Sequence, residues 1–164
     1  MALVTKNDIR STETHSYALK GLGEIRYVDL PRGYIKIIND FPQKCLIRET
    51  FPIIGTKYVH KVMAPMLMKV MEFIRHKVEY DAEWEYILHG SIFNPRHMWY
   101  HKNKPISMHA FAAAVDINPW ENQPGTPGTI PQHIIHLFES NGFKWLGHMD
   151  RPDPMHFEVD IDKL

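Results

Sequence analysis

The chain has 164 residues, enough for one domain with a substantial hydrophobic core. Its 19 lysine and arginine residues balance 19 aspartate and glutamate residues, so bulk charge does not favour nucleic acid or an anionic membrane as a partner. Cys45 is the only cysteine, which excludes an internal disulfide and is typical of a reducing compartment or of a fold that needs no crosslink.

Short strand-like runs and turn residues dominate the first part of the chain. Pro31-Arg32-Gly33 and Asn39-Asp40-Phe41-Pro42 predict turns between these runs. The sequence therefore predicts a strand-rich N-terminal extension over roughly residues 1–55. The predicted strands are EIRYVDL (24–30), YIKII (34–38) and KCLIRE (44–49).

Two helices are predicted from apolar spacing and from terminal residues. The longer helix carries one apolar stripe, and Pro65 indicates either its start or a kink within it. A shorter helix, PQHIIHLFES (131–140), opens at a proline and stops at Asn141-Gly142. The stripe of the longer helix consists of Val59, Val62, Met63, Met66, Leu67, Val70, Met71 and Ile74.

Two later runs alternate in polarity, as half-buried strands do. The run AAAVDI (112–117) turns Asp116 away from its apolar face. The run DPMHFEV (153–159) does the same with His156 and Glu158. Both strands therefore present ligand-type side chains opposite an apolar face.

The predicted elements lack the regular strand–helix alternation of a parallel sheet. We therefore expect an α+β fold in which a small, largely antiparallel sheet carries the site and packs against one long and one short helix. A single domain is expected over residues 1–164. The remaining predicted strands are EWEYILHGSIF (83–93) and FKWL (143–146).

His109, Asp116 and His156 together offer two imidazoles and one carboxylate. That is the ligand set of an open catalytic zinc site, in which water holds the fourth position. Because a strand rises about 3.3 Å per residue, a fully extended chain would hold His109 too far from Asp116. His109 is therefore expected on a turn that folds back before the alternation begins.

The order of these residues resembles a known family of zinc peptidases, the D-alanyl-D-alanine carboxypeptidases and L-alanyl-D-glutamate endopeptidases. The family pattern S-x-H-x-x-G-x-A-x-D is similar to Ser107–Asp116, with Ala112 in place of the glycine. The second motif, a carboxylate three residues before a histidine, is present in DPMHFE (153–158). DINP (116–119) and Trp145 also match, and the family includes vancomycin-resistance carboxypeptidases and several phage endolysins.

The resemblance covers roughly residues 58–160 and implies a fold like that of hedgehog and D-Ala-D-Ala peptidase domains. It also implies zinc as the cofactor. The implied zinc ligands are His109, Asp116 and His156, and the implied catalytic residues are Asp153, as general base, and Arg96, from the loop before the first motif.

Further residues near the two motifs are candidates for supporting roles. Ser107 is expected to bind substrate or to order the turn that carries His109. Glu158 is a candidate hydrogen-bond partner of His156, on the same strand face. The other histidines fit surface or substrate-lining roles better than metal binding; they are His97, His101, His133, His136 and His148.

The implied reaction is hydrolysis of an amide bond in a peptidoglycan stem peptide or another D-Ala-containing peptide, and which bond is cut stays open. We expect a monomer, with neither nucleic acid nor a membrane as partner. MALVTKNDIRSTETHS (1–16) has no apolar signal-peptide core. That favours a phage-type endolysin, cytoplasmic until its release to the cell wall, or a chain trimmed of its leader.

Two other classes of function compete with this interpretation. Two histidines and a carboxylate also form the facial triad of non-haem iron oxygenases, but the spacing of His109 and Asp116 is unusual for them and Asp153 would have no task. A zinc-binding module without turnover, of the hedgehog type or in a phage particle, is the second alternative. The presence of Asp153 and Arg96 favours an enzyme.

Overall fold

The computed structural model describes residues 13–164, which form three antiparallel sheets and three α-helices. The signal-peptide prediction concerns residues that lie mainly outside this range. The strands are β1 (His15–Leu19), β2 (Gly23–Asp29), β3 (Ile35–Ile37), β4 (Leu46–Phe51), β5 (Gly55–His60), β6 (Gly90–Ser91), β7 (Ala114–Ile117), β8 (Phe143–Trp145) and β9 (His156–Val159). The helices are α1 (Phe41–Cys45), α2 (Met63–Val78) and α3 (Gln132–Ser140).

The first sheet, in the order β1–β2–β3, lies in the N-terminal extension. The helix α1 follows it, in place of the turn predicted at 39–42. Pro42 stands in the first turn of α1, where a missing N–H breaks no helical hydrogen bond. Phe41 is buried, and its ring meets that of Phe111 edge-on at 5.5 Å. The N-terminal extension is thereby packed against the first motif.

The strands β4 and β5 form a separate hairpin that leads into α2. Val59, the first residue of the predicted helical stripe, lies in β5, and the helix begins at Met63. Pro65 therefore marks the start of the helix rather than a kink within it. The buried face of α2 consists of Met63, Ala64, Leu67, Val70, Met71 and Ile74.

The third sheet carries both sequence motifs and runs in the order β6–β7–β9–β8, with all neighbours antiparallel. Phe138 of α3 stacks on Phe157 of β9 with ring centroids 4.2 Å apart. The predicted α+β fold with antiparallel sheets is confirmed. Among residues 13–164, no helix combines the length and the apolar character that crossing a bilayer requires.

The long strand predicted from EWEYILHGSIF is wrong except at β6. The side chain of Asn118 lies where a neighbouring strand would have to pair. Its Oδ1 accepts hydrogen bonds from the backbone N–H groups of Leu88, at 2.9 Å, and His89, at 3.0 Å. Because these amides are bonded to a side chain, the segment remains irregular until Gly90.

His60, at the end of β5, connects three parts of the fold. Its ring Nε2 donates to the carbonyl of Leu22 at 2.9 Å, and its Nδ1 accepts from the N–H of Val62 at 3.1 Å. Its own N–H donates to the carbonyl of Ala112 at 2.8 Å. The ring is 1% exposed, and its burial lowers the pKa of His60 below the ordinary histidine value of 6.5.

We expect the free energy of unfolding to fall as the pH is lowered from 6.5 through the depressed folded-state pKa of His60. The unfolded chain binds the proton near the ordinary pKa, whereas the folded chain must give up the Val62 contact to do so. In urea unfolding with a chelator, the unmodified chain should lose more stability between about pH 7.5 and 5 than His60→Gln does. The control His136→Gln, at an exposed ring, should keep the pH dependence of the unmodified chain; an unchanged dependence in His60→Gln would contradict the assignment.

Ala112 stands where the family motif has glycine, and its backbone is left-handed, with φ 52° and ψ 35°. Its N–H donates to the carbonyl of His109 at 3.1 Å, and the N–H of Ala113 donates to that of Met108 at 3.1 Å. These bonds close the 3₁₀ turn that carries His109. A left-handed residue at such a turn end is usually glycine, which explains the motif. The chain reaches the same backbone with a buried methyl group present.

We expect Ala112→Gly to be about 1–2 kcal/mol more stable than Ala113→Gly, the cost of a left-handed conformation for an L-residue. Both substitutions remove one fully buried methyl group and both add freedom to the unfolded chain. Only Ala112→Gly also relieves backbone strain, since Ala113 does not have a positive φ. Urea unfolding of the two variants measures the difference, and equal losses would show that Ala112 is unstrained.

Candidate metal centre

Two paired strands and one turn bring the three candidate ligands together. Asp116 of β7 lies directly opposite His156 of β9 in the antiparallel register. His109 lies in the 3₁₀ turn Met108–Phe111, as expected for a segment that folds back before β7. Ser107 precedes that turn, and its Oγ accepts a hydrogen bond from the N–H of His109 at 3.2 Å. Ser107 thus orders the turn, which was one of its two predicted roles.

The three side chains converge on one point. The Nε2 atom of His109 lies 3.1 Å from Oδ1 of Asp116 and 3.2 Å from Nδ1 of His156. The same nitrogen of His156 lies 3.2 Å from Oδ1 of Asp116. Among residues 13–164, these are the residues whose ligand atoms could together hold a metal ion.

The outer nitrogen of each ring has a hydrogen-bond acceptor. His109 donates from Nδ1 to the carbonyl of Ile92 at 2.7 Å, and His156 donates from Nε2 to Oε2 of Glu158 at 2.9 Å. These bonds place the proton of each neutral ring on its outer nitrogen. The inner nitrogens then offer lone pairs to the shared point, as metal-ligating histidines do. Glu158 occupies the position predicted for it.

A tetrahedral zinc ion fits this arrangement. Two ligand atoms about 2.1 Å from such an ion are about 3.4 Å apart, which is close to the separations observed among His109, Asp116 and His156. With both rings neutral, the three inner atoms all carry lone pairs and repel one another in a buried place. A cation between them removes that repulsion, so the donor set suits a divalent metal.

The close approach of these groups shifts the pKa values of Asp116 and His156. Burial raises the pKa of the Asp116 carboxyl, but its interactions with the adjacent rings of His109 and His156 outweigh burial and hold that pKa well below its usual range. Burial lowers the pKa of His156, but hydrogen bonds to Asp116 and Glu158 prevail and raise it to about 9. The carboxylate is thus kept ionised, as a metal ligand must be.

Asp153 lies beside this group with one carboxylate oxygen unpaired. Its Oδ1 is buried and accepts no hydrogen bond from any of residues 13–164. Burial raises the pKa of its carboxyl and outweighs the lowering effect of His156, while Asp116 raises the pKa further and Arg96 lowers it slightly. The indole Nε1 of Trp145 donates to the carbonyl of Pro154 at 2.8 Å and fixes the adjoining backbone. An unpaired buried carboxylate of this kind is typical of a proton acceptor.

Arg96 lies in the loop before the first motif and also has a buried polar atom without a hydrogen-bond partner. Its Nε is buried without a partner among the described residues, while Nη1 donates to the carbonyl of His97 at 3.2 Å. Its guanidinium stacks on the ring of Tyr100, with Cζ 4.6 Å from the ring centroid. Tyr34, which directly precedes β3, pairs with Arg96 in an isolated antiparallel bridge. Residues far apart in sequence therefore hold the arginine at the site.

His97 does not line the site, contrary to the surface or substrate-lining role predicted for it. It is 3% exposed, and its Nε2 lies 2.7 Å from Oδ1 of Asp29. Its Nδ1 lies 2.7 Å from the carbonyl of Lys104, and its N–H donates to the carbonyl of Gly33. His97 thus ties the arginine loop to the N-terminal sheet. The sequence gives no sign of this, because its partners come from distant segments.

A cleft of about 760 Å³ connects these groups. Arg96, Ser107, Asp116, Asp153 and His156 all line it. The cleft also contains residues that the sequence did not single out: Trp99, Tyr100 and Arg151. Their aromatic and cationic character was visible in the sequence, but their approach to the motifs depends on the loop between residues 94 and 106.

The paired histidines of α3 do not form a metal site. His133 donates from Nε2 to the carbonyl of Glu83 at 3.1 Å and meets the ring of Trp84 at 4.5 Å. His136 contacts the side chain of Gln132. Both therefore have surface or packing roles, as expected.

The arrangement can be compared with known proteins. A family model described as D-alanyl-D-alanine carboxypeptidase matches residues 101–159, which include both motifs. No significant match is found among curated proteins or among solved structures. The family match confirms the resemblance seen in the two motifs: the segment that contains them is similar to D-alanyl-D-alanine carboxypeptidases.

Proposed function

We propose that the protein is a zinc-dependent peptidase that hydrolyses an amide bond in bacterial cell-wall peptides. In this proposal His109, Asp116 and His156 hold the zinc ion. The observation that carries it is a buried acceptor and a buried donor without partners, Asp153 Oδ1 and Arg96 Nε, in the cleft of the metal-binding group. Polar atoms of this kind are costly in a folded protein unless a ligand uses them.

Asp153 acts as the general base in this proposal. Bound zinc would supply a Lewis acid that polarises the scissile carbonyl and acidifies the attacking water. Asp153 accepts the proton of that water on its unpaired carboxylate and passes it to the leaving amine. Its raised pKa supports the first step, because a weakly acidic carboxylate is the better proton acceptor at neutral pH.

Arg96 stabilises the charge that develops on the carbonyl oxygen. Its ring contact with Tyr100 fixes the plane of the guanidinium and leaves N–H donors at its edge. Donors held in place before the reaction lower the barrier more than mobile ones, since they need no reorganisation. The packing of the arginine loop against the N-terminal sheet supplies that fixation.

Ser107 and the substrate complete the proposal. Ser107 lines the cleft and is 4% exposed, so its hydroxyl could contact a bound peptide while it orders His109. The substrate proposed is a peptidoglycan stem peptide or another D-Ala-containing peptide, cut by one chain acting as a monomer. Delivery to the cell wall in the manner of a phage endolysin is part of this proposal.

A zinc-binding module without turnover is the alternative. It would keep His109, Asp116 and His156 but would have no use for an unpaired base. Analysis of metal content and of reaction products on the same preparations distinguishes the peptidase from the non-catalytic module. Bound iron in place of zinc would instead favour an oxygenase.

We expect Asp153 and His156 variants to fail in different ways. His156→Ala removes a proposed ligand, so zinc should be lost on dialysis and activity with it. Asp153→Asn keeps all three ligands, so zinc should be retained while turnover falls by about 10²–10⁴-fold, the usual contribution of a positioned base. Elemental analysis measures the zinc, and mass spectrometry of peptidoglycan digests measures the activity.

The control for these variants is His136→Ala, which removes an exposed histidine outside the cleft and should change neither zinc content nor activity. Full activity of Asp153→Asn would move the base elsewhere, whereas loss of zinc from it would make Asp153 a ligand. If the unmodified chain binds zinc and releases no product from peptidoglycan, the non-catalytic module is the better account.

We expect Arg96→Ala to lower kcat by about 10²–10³-fold, as removal of an oxyanion donor does. Zinc content should not change, because Arg96 contacts none of the three ligands through any described hydrogen bond. The matched control is Arg48→Ala, at an exposed arginine of β4 outside the cleft. Steady-state kinetics with thermal unfolding of each variant checks the result, and an unchanged kcat would remove Arg96 from the mechanism.

A further inference from the structure

A second arginine faces the cleft from the loop before the second motif. Arg151 is exposed and lines the cleft together with Trp99, and its Cζ lies 4.5 Å from the centroid of the Trp99 ring. We propose that Arg151, held against Trp99, binds a free carboxylate of the peptide substrate and so determines which peptides are accepted. The inference rests on the proposed peptidase function and assigns part of the substrate specificity to Arg151.

Each of the two arginines in the cleft stacks on an aromatic ring, and the two aromatic residues are adjacent in the chain. Arg96 stacks on Tyr100, as Arg151 stacks on Trp99. Stacking occupies the flat face of a guanidinium and leaves its edge donors available. Among residues 13–164, no carboxylate forms an ion pair with either arginine. Nε of Arg96 and the edge of the exposed Arg151 guanidinium are therefore left for a ligand.

The aromatic partners are held in an unfavourable backbone conformation. Trp99 and Tyr100 have φ values of 57° and 54°, which side chains of this size rarely adopt. Gly33 lies so close that a Cβ there would come 2.2 Å from the carbonyl of Tyr100. The turn between β2 and β3 thus packs against the strained segment and helps to hold it. Strain that the surrounding structure maintains, at the rim of a cleft, points to a role in ligand binding.

The distribution of charge favours a carboxylate over other ligand groups. Asp116, Asp153 and Glu158 make the metal side of the cleft acidic, so a second anion would not bind there without a cation. Arg151 is two residues from Asp153, and their Cα atoms are therefore at most about 7.6 Å apart. A planar, exposed fork of donors in the same cleft as the base suits a carboxylate on a residue near the scissile bond.

Two kinds of peptide carry such a carboxylate. One has a free C-terminal carboxylate on the residue that leaves, and the other has a free α-carboxylate on a D-glutamate linked onward through its side chain. The chemistry that Arg151 recognises is the same in both. The experiment therefore uses one acid and amide pair for each kind.

Binding is measured by calorimetry on zinc-loaded Asp153→Asn, in which turnover is suppressed. The probes are N-acetyl-D-alanyl-D-alanine and its C-terminal amide, and N-acetyl-L-alanyl-D-glutamate and its α-amide. We expect at least one acid to bind about 10-fold or more tightly than its amide, the range of a charge-assisted hydrogen bond. Adding Arg151→Gln should abolish that preference, and Arg151→Lys should restore only part of it, because lysine lacks the planar fork. The pair that shows the preference identifies the source of the carboxylate.

The matched control adds Arg48→Gln to the same background, at an exposed arginine outside the cleft, and should keep the full preference for the acid. Retention of the preference in Arg151→Gln overturns the inference. So does equal binding of acid and amide before Arg151 is changed. If the unmodified chain still releases products from peptidoglycan, only the specificity role of Arg151 has failed. If it releases none and binds no probe, the proposed function has failed as well.

Discussion

Three atoms that carry lone pairs, from His109, Asp116 and His156, approach one another to 3.1–3.2 Å in a place that is largely closed to water. Without positive charge between them, such an approach would destabilise the fold. The raised pKa of His156 agrees with this, because Asp116 and Glu158 both favour positive charge on its ring. The carbonyl of Ile92 and the carboxylate of Glu158 orient the two rings from outside. The centre could thus hold a cation, and its outer hydrogen bonds orient the ligand atoms for one.

Local periodicity in the sequence was sufficient to predict this part of the molecule. Asp116 and His156 each stand opposite an apolar strand face, and antiparallel pairing of those faces sets the two side chains side by side. The extended length of the intervening chain required a turn at His109, and the 3₁₀ turn is there. The alternation and the turn follow rules that act within a few residues, and the pairing of β7 with β9 then follows from their matching apolar faces. The long strand predicted before Gly90 failed because a side chain, that of Asn118, took the hydrogen bonds of a neighbouring strand.

The other wall of the cleft could not be predicted from local patterns. His97 meets Asp29 across 68 residues of sequence, and Gly33 packs against the backbone of Tyr100. The sequence shows the arginine at position 96, but the contacts that fix it come from a sheet outside the family resemblance. Left-handed backbone at Trp99 and Tyr100 has no sequence signal either, since neither residue type favours it. Tertiary packing decides these features, and only the structure shows them.

The division of the cleft between two regions of the chain affects how the protein can be recombined with relatives. The segment that matches the family, residues 101–159, contains the metal-binding group but neither Arg96 nor the sheet that braces its loop. A chimera that exchanges only this segment would join ligands from one parent to an arginine loop fitted to the other. Ring packing between Phe41 and Phe111 and the bond from His60 to Ala112 cross the same junction. A functional chimera should therefore take the N-terminal sheet and the motif segment from the same parent.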